Sequence, residues 1–318
     1  MPRTHKKGST DGTPIALRLF QLASRLRKGD RVALARGISL AENDPARASK
    51  LLGLLKPPGR AFIVGVTGPP GTGKSTLVDR LITSFREKGL RVGVIAVDPT
   101  SPITGGALLG DRIRMTGHTS DKDVFIRSMA SRGWTGGLSR ATSQVIRLLD
   151  SAGFDLLLLE TVGIGQSDME VVGVSHAVVV VLMPGLGDDI QVSKAGLMEV
   201  GDVYVVNKSD LVGSDAMMVS LLGLFRGSSR TPAVLKVSAL SGDGIESLVG
   251  AIESIRSRFT KGNQDLRLKS IKGMIVETAR ASAMQKFARA SDVRAEGLAR
   301  QVLVGKMSVE AAAAKLEK

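Results

Sequence analysis

Short apolar runs alternate with longer amphipathic segments through the middle of the chain. Six runs rich in Val, Ile and Leu predict buried strands at residues 62–66, 92–97, 156–160, 178–183, 203–206 and 234–237. Apolar residues with helical spacing predict helices at residues 74–88, 137–151, 189–199, 213–225 and 244–259. This alternation predicts an α/β fold with a doubly wound, mainly parallel sheet covered on both faces. Ligands of such folds bind at the carboxyl edge of the strands.

Helical patterns also flank this central part. Residues 1–14 are predicted to be a disordered leader, and residues 15–58 to form two or three helices that cap the central domain. Pro57-Pro58-Gly59 marks a boundary, so the central domain is expected to cover residues 59–260. Residues 261–318 have the pattern of a helical extension with a turn near Gly305. The segment 99–136 has little regular periodicity, and a connection of this length is usually functional or disordered.

The first predicted strand leads directly into a glycine-rich loop that opens a helix. The loop has the pattern G-x-x-x-x-G-K-S and comprises Gly68, Pro69, Pro70, Gly71, Thr72, Gly73, Lys74, Ser75 and Thr76. Its glycines allow backbone N–H groups to wrap a polyphosphate, and the helix directs its positive dipole end at the same anion. We expect Lys74 to reach the β- and γ-phosphates and the Ser75 hydroxyl to bind Mg²⁺. The alternative is a glycine-rich turn that only caps a helix.

Two further loops suit recognition of guanine. Asn207-Lys208-Ser209-Asp210 follows the strand at 203–206, and a carboxylate there can accept hydrogen bonds from guanine N1–H and the 2-amino group. Adenine has neither donor. Ser238, Ala239 and Leu240 follow the strand at 234–237 and can offer backbone N–H groups to guanine O6. Together with the phosphate loop these segments predict a GTP site, with a pair of ordinary turns as the alternative.

Acidic residues stand where a metal ion would bind. Glu160 ends the strand at 156–160, and Gly163 follows at a position where a backbone N–H can sense the γ-phosphate. Asp98 ends the strand at 92–97, and Asp111 lies in the irregular segment. Carboxylate oxygens are ligands that Mg²⁺ prefers. Asp98 could instead cap a turn, and Asp111 could be a solvated loop acid.

Composition narrows the class of protein. The 318 residues include no cysteine, which excludes disulfides and zinc–thiolate sites and fits a reducing, cytoplasmic location. The N-terminus lacks an apolar signal region, and the longest apolar run, 177–183, is too short to span a bilayer. We therefore expect no membrane partner. The histidines, His5, His118 and His176, show no metal-ligand spacing.

The net charge of +14 is concentrated at the two ends of the chain. Residues 1–58 carry a net +8 and residues 261–318 a net +6, whereas residues 59–260 are neutral. Basic flanks can bind nucleic acid or a membrane surface. These flanks have helical spacing without interleaved aromatic residues, so we expect a solvated face or an acidic protein partner, and no nucleic acid.

Five segments together resemble the MeaB/ArgK family of P-loop G proteins. They are residues 97–101, 104–115, 125–129, 160–166 and 207–210. Members of this family are chaperones of cobalamin-dependent acyl-CoA mutases, chiefly methylmalonyl-CoA mutase. The resemblance implies a SIMIBI-class G domain, hydrolysis of GTP to GDP, and homodimerisation through C-terminal helices. It also implies that the protein gates adenosylcobalamin loading on the mutase and protects that enzyme.

The resemblance also implies roles for individual residues. The phosphate, Mg²⁺ and switch residues of the family match Lys74, Ser75, Asp98, Asp111 and Glu160, and its guanine contacts match Asp210 and residues 238–240. Residues 184–194 match an additional switch loop, with Lys194 as its basic residue, through which the partner influences hydrolysis. The chain departs from the family pattern at Trp134 and in the tail from Lys261, which lacks the Trp-rich, Arg-rich helix common in the family.

The sequence thus predicts a GTPase whose catalysis depends on positioning and charge neutralisation. The residues expected to take part are Lys74, Asp111, Glu160 and Lys194. A metallochaperone GTPase for a nickel enzyme is disfavoured because the chain lacks cysteines and histidine clusters. A small-molecule kinase would have no use for residues 207–210, and a non-catalytic adaptor would not need Lys74 and Ser75.

Overall fold

The protein is described from a computed structural model. It describes residues 15–55, 60–98, 116–118, 120–130, 140–161, 163, 171–185, 197–226, 231–262 and 264–316. Several sequence predictions fall outside these ranges and are not tested by the structure. They concern the leader at 1–14, the boundary at Pro57-Pro58-Gly59, Asp111, Trp134 and Lys194.

In the part of the chain that the structure describes, the core is a seven-stranded sheet. Its strands are β1 (Phe62–Thr67), β2 (Val92–Asp98), β3 (Val124–Ala130), β4 (Leu156–Glu160), β5 (Ala177–Leu182), β6 (Val203–Val206) and β7 (Ala233–Lys236). They are ordered β3-β2-β4-β1-β5-β6-β7, and every pair of neighbours is parallel. The prediction of a doubly wound parallel sheet is confirmed, with β1 and its loop at the centre.

The described part of the chain contains helices at both ends and between the strands. They are α1 (Ile15–Arg27), α2 (Arg31–Asn43), α3 (Pro45–Gly53), α4 (Lys74–Glu87), α5 (Arg140–Ser151), α6 (Leu197–Val200), α7 (Ser214–Leu224), α8 (Ile245–Thr260), α9 (Gln264–Leu303) and α10 (Val309–Leu316). The predicted helices at 74–88, 213–225 and 244–259 agree with α4, α7 and α8 to within a few residues. Parts of the other two predicted helices, at 137–139 and 189–196, lie outside the described residues.

One prediction was wrong: the irregular segment 99–136 contains a regular strand, β3. Its sequence, Val-Phe-Ile-Arg-Ser-Met-Ala, includes Arg127 and Ser128 and so breaks the continuous apolar pattern of the central strands. The interruption is tolerated because β3 is an edge strand with a single strand neighbour, β2. The Arg127 guanidinium forms an ion pair with Glu42 of α2. Arg127 of this strand is thus paired with a helix of the N-terminal region.

Both faces of the sheet are covered, as the apolar strand sequences require. Phe62, Val64 and Leu158 face α4 and α8 in one apolar cluster. On the opposite face, α1, α2, α3 and α5 form a second cluster with Ile63 and Leu157. The N-terminal helices therefore share the core of the sheet. A third cluster joins α7 to β5, β6 and β7.

The long helix α9 meets the rest of the protein through a close backbone contact. A Cβ atom at Gly273 would lie 1.8 Å from the carbonyl oxygen of Gly173, so only glycine fits at this point of the helix. Beside it, the Ser270 hydroxyl donates to the Val174 carbonyl at 2.7 Å, and Met274 is buried. Leu268, Ile275 and Val276 lie on α9 with more than half of their surface exposed. Among the described helices, none has the length and apolar character needed to cross a bilayer.

His176 lies directly before β5 and is buried in the core. The sequence alone had indicated no specific role for this histidine. Its ring is 4% exposed and stacks on Phe62 at 5.5 Å, with Phe259 at 4.3 Å on another side. Its Nδ1 accepts a hydrogen bond from the Ile63 N–H at 2.9 Å. Burial, together with the nearby positive charges of Arg267 and Lys269, lowers the pKa of His176 to about 3. The residue is a neutral core histidine.

This burial predicts a pH dependence of stability. Below pH 6.5 the unfolded chain takes up a proton on His176 that the folded protein binds only near pH 3. The free energy of unfolding should therefore fall, by roughly 1 kcal/mol per pH unit from this residue, as the pH drops through that window. His176→Asn keeps an acceptor for the Ile63 N–H but does not titrate. Urea unfolding from pH 7 to 4 should give a shallower pH slope for the variant, and equal slopes would contradict the prediction.

Candidate nucleotide site

The predicted site residues on β1, β4, β6 and β7 all lie at the carboxyl edge of the sheet. The loop after β1 occupies the centre of this edge, because β1 lies between β4 and β5. Glu160 ends β4, Asn207 follows β6, and Ser238 follows β7 after one residue. Parallel strands that end at the same edge therefore bring together segments that are far apart in sequence.

The phosphate loop is held in a conformation that depends on glycine. Gly71 and Gly73 have φ angles of +79° and +88°, in the left-handed region. A Cβ at Gly68 would lie 2.0 Å from the carbonyl oxygen of Val181 on β5, so the loop leaves the sheet through a contact that no side chain permits. The Thr72 hydroxyl donates to the Pro69 carbonyl at 2.9 Å and closes the loop internally. Of the remaining loop residues, Pro70 is exposed and Thr76 is half-buried.

Lys74 is the first residue of α4 and directs its ammonium group into this loop. The side chain is 6% exposed, and Nζ donates to the carbonyls of Gly68 at 2.7 Å and Pro69 at 2.9 Å. A buried cation at the N-terminus of a helix adds to the positive potential of the helix dipole. The arrangement concentrates positive charge where a polyphosphate would bind.

Ser75 and Glu160 form the candidate metal centre. The Ser75 hydroxyl donates to Glu160 Oε1 at 2.5 Å, and the two residues are 8% and 4% exposed. A hydroxyl and a carboxylate side by side form a hard oxygen donor set of the kind that Mg²⁺ takes, with the other positions left to phosphate and water. These residues fit Mg²⁺. Within the described residues no group of three or more His, Cys, Asp or Glu side chains forms a separate metal site.

The other predicted acids are placed only in part. Asp98 is the last residue of β2, whose Ala96 is in register with Glu160 on the neighbouring strand. The backbone therefore brings Asp98 to the same edge of the sheet as Glu160. Asp111 and Lys194 lie outside the described residues.

Gly163 lies directly against the phosphate loop. Its φ is +84°, and a Cβ there would lie 1.8 Å from the Gly68 carbonyl oxygen and 2.9 Å from Lys74 Nζ. The preceding turn is fixed by the Thr161 N–H, which donates to the Val66 carbonyl at 3.1 Å. The backbone at Gly163 thus lies directly beside the phosphate loop and the Lys74 ammonium group.

Asn207 joins the phosphate loop to the loop of residues 238–240 that follows β7. The side chain is 1% exposed; its Nδ2 donates to the Thr72 carbonyl at 2.7 Å, and its Oδ1 accepts from the Ala239 N–H at 3.0 Å. A Cβ at Gly73 would lie 2.5 Å from Asn207 Nδ2, so this glycine also makes room for the amide. Asn207 therefore positions two loops, a role that the short sequence motif does not reveal.

The segment after Asn207 turns sharply towards solvent. Lys208 adopts a φ of +55°, the one non-glycine residue with positive φ in the described part of the chain. Ser209 N–H donates to the Val237 carbonyl at 3.1 Å, which fixes the turn against the end of β7, and Asp210 is exposed just beyond it. Exposure suits a carboxylate that is to contact a base bound from solvent.

The structure adds a residue that sequence reasoning missed. Arg80 lies on α4, and its Nε donates to the Ala239 carbonyl at 3.0 Å while Nη2 donates to the Leu240 carbonyl at 2.6 Å. The two partners are about 160 positions away along the chain. In the sequence, Arg80 was only an arginine in the predicted helix after the phosphate loop. Because arginines are common on helix surfaces, nothing marked this one as functional.

Comparisons with known proteins agree with this geometry. A family model described as methylmalonyl Co-A mutase-associated GTPase MeaB matches residues 34–292. A protein of Pyrococcus abyssi (strain GE5 / Orsay) is 50% identical over 244 residues, covering 74% of this chain and 75% of the relative. GTPase ArgK of Escherichia coli (strain K12) is 38% identical over 255 residues, covering 76% and 77%.

Two further similarities come from a mammalian relative and a solved structure. The mitochondrial methylmalonic aciduria type A homolog of Mus musculus is 38% identical over 250 residues, covering 71% of this chain and 60% of that protein. The crystal structure of an LAO/AO transport system kinase has a TM-score of 0.70 at 25% identity, covering 95% of this chain and 97% of that one. The family model spans most of the chain, and the candidate site contains a glycine-rich loop with the pattern G-x-x-x-x-G-K-S. The chain therefore belongs to the MeaB/ArgK family of P-loop GTPases and is a GTP hydrolase.

Proposed function

We propose that this GTPase depends on Mg²⁺ and serves as a chaperone of a cobalamin-dependent acyl-CoA mutase of the methylmalonyl-CoA mutase type. One observation carries the nucleotide part of the proposal. Asn207 bonds the phosphate loop through Thr72 and the guanine loop through Ala239, so both ends of a GTP molecule would be read by one connected unit. An ordinary pair of turns would have no need of this buried connection.

The roles of the residues around the phosphates follow from their contacts. Lys74, held inside the loop, would neutralise charge on the β- and γ-phosphates. The oxygens of Ser75 and Glu160 would hold Mg²⁺, with Asp98 of the neighbouring strand as a further acid at the same edge. When bound, the metal supplies positive charge to the phosphate oxygens. Asp111 and Lys194 remain proposed switch residues on the family resemblance alone.

The base would be selected by Asp210 and the loop of residues 238–240. An exposed carboxylate at Asp210 can accept from both N1–H and the 2-amino group of guanine. The loop supplies backbone donors for O6. Because adenine presents an acceptor at N1 and an amino group at position 6, the same groups would reject ATP.

The partner is inferred from the family and one relative. The family description names a methylmalonyl Co-A mutase-associated GTPase, and the mouse relative is named for methylmalonic aciduria. We propose that GTP hydrolysis on this chain gates adenosylcobalamin loading on such a mutase and protects the enzyme. The protein would act in the cytoplasm as a homodimer joined through α9 and α10, where apolar side chains including Leu268 and Ile275 are exposed.

Changing Asp210 should change the preferred base. In Asp210→Asn the amide can donate to the 2-oxo group of xanthine but no longer accepts two hydrogen bonds from guanine. We expect affinity for GTP to fall at least tenfold, about 1.4 kcal/mol, and affinity for xanthosine triphosphate to rise. Titration of both nucleotides against wild type and variant measures the exchange. Asp215→Asn, at an acid that pairs with Lys236 instead, is the matched control. A wild-type protein that binds ATP as tightly as GTP would contradict the base assignment.

Changing Glu160 should separate catalysis from nucleotide binding. Glu160→Gln keeps the shape of the side chain and a partner for the Ser75 hydroxyl, but it removes the charge that would hold Mg²⁺. We expect Mg²⁺-dependent turnover of GTP to fall well beyond threefold, while affinity for GDP measured without Mg²⁺ changes little. A loss of turnover below about threefold, less than 1 kcal/mol, would remove Glu160 from the metal centre.

The chaperone proposal predicts a response to the partner. GTP turnover should increase when a purified cobalamin-dependent acyl-CoA mutase is added at saturating concentration, because an added group near the γ-phosphate can stabilise transition-state charge. Lys194→Ala should reduce this stimulation, and Lys194→Arg should retain most of it. Steady-state phosphate release with and without mutase gives the result. A wild-type rate that the mutase leaves unchanged would count against this partner.

A further inference from the structure

The contacts of Arg80 point to a function in reading the base. Arg80 is six residues beyond Lys74 on α4, or about 9 Å along the helix axis. Its guanidinium donates two hydrogen bonds to consecutive carbonyls of the loop after β7, those of Ala239 and Leu240. We infer that Arg80 is a positioning residue that sets guanine selectivity by orienting and polarising the peptide groups of this loop. The inference rests on the proposed guanine site.

The effect follows from the chemistry of the peptide group. The Ala239 carbonyl shares a peptide group with the Leu240 N–H, and the Leu240 carbonyl shares one with the Ser241 N–H. A charged donor on a carbonyl oxygen withdraws electron density from the amide, so the N–H at the other end becomes a stronger donor. Arg80 therefore strengthens the donors of the loop without touching the nucleotide itself.

Of the N–H groups of Ala239, Leu240 and Ser241, that of Leu240 is available for a ligand. The Ala239 N–H is already used by Asn207 Oδ1, at 3.0 Å. The Ser241 N–H makes a long contact of 3.4 Å with the Ser238 hydroxyl. Within the part of the chain that the structure describes, the Leu240 N–H has no acceptor. Leu240 as a residue is 81% exposed, so this part of the loop lies at the surface. The Leu240 N–H, whose peptide carbonyl accepts from Arg80 Nε at 3.0 Å, is thus the polarised donor that a ligand can use.

Such a donor discriminates between the two purines at position 6. Guanine presents an acceptor there, O6, whereas adenine presents an amino group that donates. A polarised N–H facing O6 gains a stronger hydrogen bond with guanine and a stronger repulsion with adenine. Asp210 reads a different part of the base, N1–H and the 2-amino group. The two readings can therefore be measured separately.

The experiment uses nucleotides that differ at one position of the base. GDP is compared with 6-thio-GDP, whose sulfur accepts hydrogen bonds weakly, and with IDP, which lacks only the 2-amino group. Dissociation constants are measured for the full-length wild type, Arg80→Met and Arg80→Lys. Arg86→Met is the matched control, since Arg86 is on the same helix but bonds to Asp121 and the Leu90 carbonyl, away from the loop. Thermal unfolding of each variant confirms that it is folded.

Arg80→Met should weaken GDP binding about tenfold, equivalent to about 1.4 kcal/mol. It should also lower the ratio of dissociation constants for 6-thio-GDP and GDP several-fold, because a weaker donor distinguishes oxygen from sulfur less. The ratio for IDP and GDP should stay within about twofold of wild type, and Arg80→Lys should fall between wild type and Arg80→Met. A variant that weakens all three nucleotides equally, or a matching effect of Arg86→Met, would reduce Arg80 to a structural residue and overturn the inference.

The same measurements distinguish this inference from the function on which it rests. If the wild type binds GDP no better than ADP, the guanine site itself is wrong, and the role of Arg80 in base selection falls with it. If the wild type prefers GDP and discriminates against 6-thio-GDP, but Arg80→Met discriminates equally well, only the role of Arg80 is overturned.

Discussion

One buried amide holds together two loops of the candidate nucleotide site. Asn207 is 1% exposed and satisfies its hydrogen-bonding groups with the backbone of two loops, from Thr72 before α4 and from Ala239 after β7. A buried amide that lost either partner would carry the cost of an unsatisfied polar group. The two loops therefore take up their relative position together. Gly73 is part of the same constraint, because any side chain there would occupy the space of the amide.

Some residues of the candidate site could be placed at the sheet edge from the sequence, and others could not. Lys74, Ser75 and Glu160 stand next to strand ends in recognisable local patterns, and in a parallel sheet local position at a strand end determines spatial position. The residues that hold the loops to one another are different. Arg80 contacts a loop about 160 residues away, and no local pattern records such a contact. The double use of the Asn207 side chain is likewise a property of the assembled edge.

The fold could also be predicted only in part, because some elements have a local sequence pattern that reveals their position and others do not. Strands buried on both faces, such as β1, β4 and β5, have continuous apolar sequences that are easily recognised. Strand β3 was missed because an edge strand can carry polar residues, and Arg127 finds its partner, Glu42, on a helix that is distant in sequence. The sharing of one apolar cluster by α1, α2, α3 and the sheet also arises only when the chain has folded. The strands that could be predicted from the sequence are thus those whose residues are buried along the whole strand.

The contact between Gly273 and Gly173 lies near the N-terminal end of the long helix α9. The contact at Gly273 lies about 10 residues from the start of a helix of 40 residues, so that roughly 45 Å of helix extends beyond it. A tilt of α9 by about 5° about this contact would move the C-terminal end of the helix by about 4 Å, the width of a small side chain. Gly173 lies on the same connection, between β4 and β5, as Gly163, whose backbone touches the phosphate loop. A rotation of α9 about this contact would therefore displace the end of the helix, where α10 folds back onto it, far more than the turns next to Gly273.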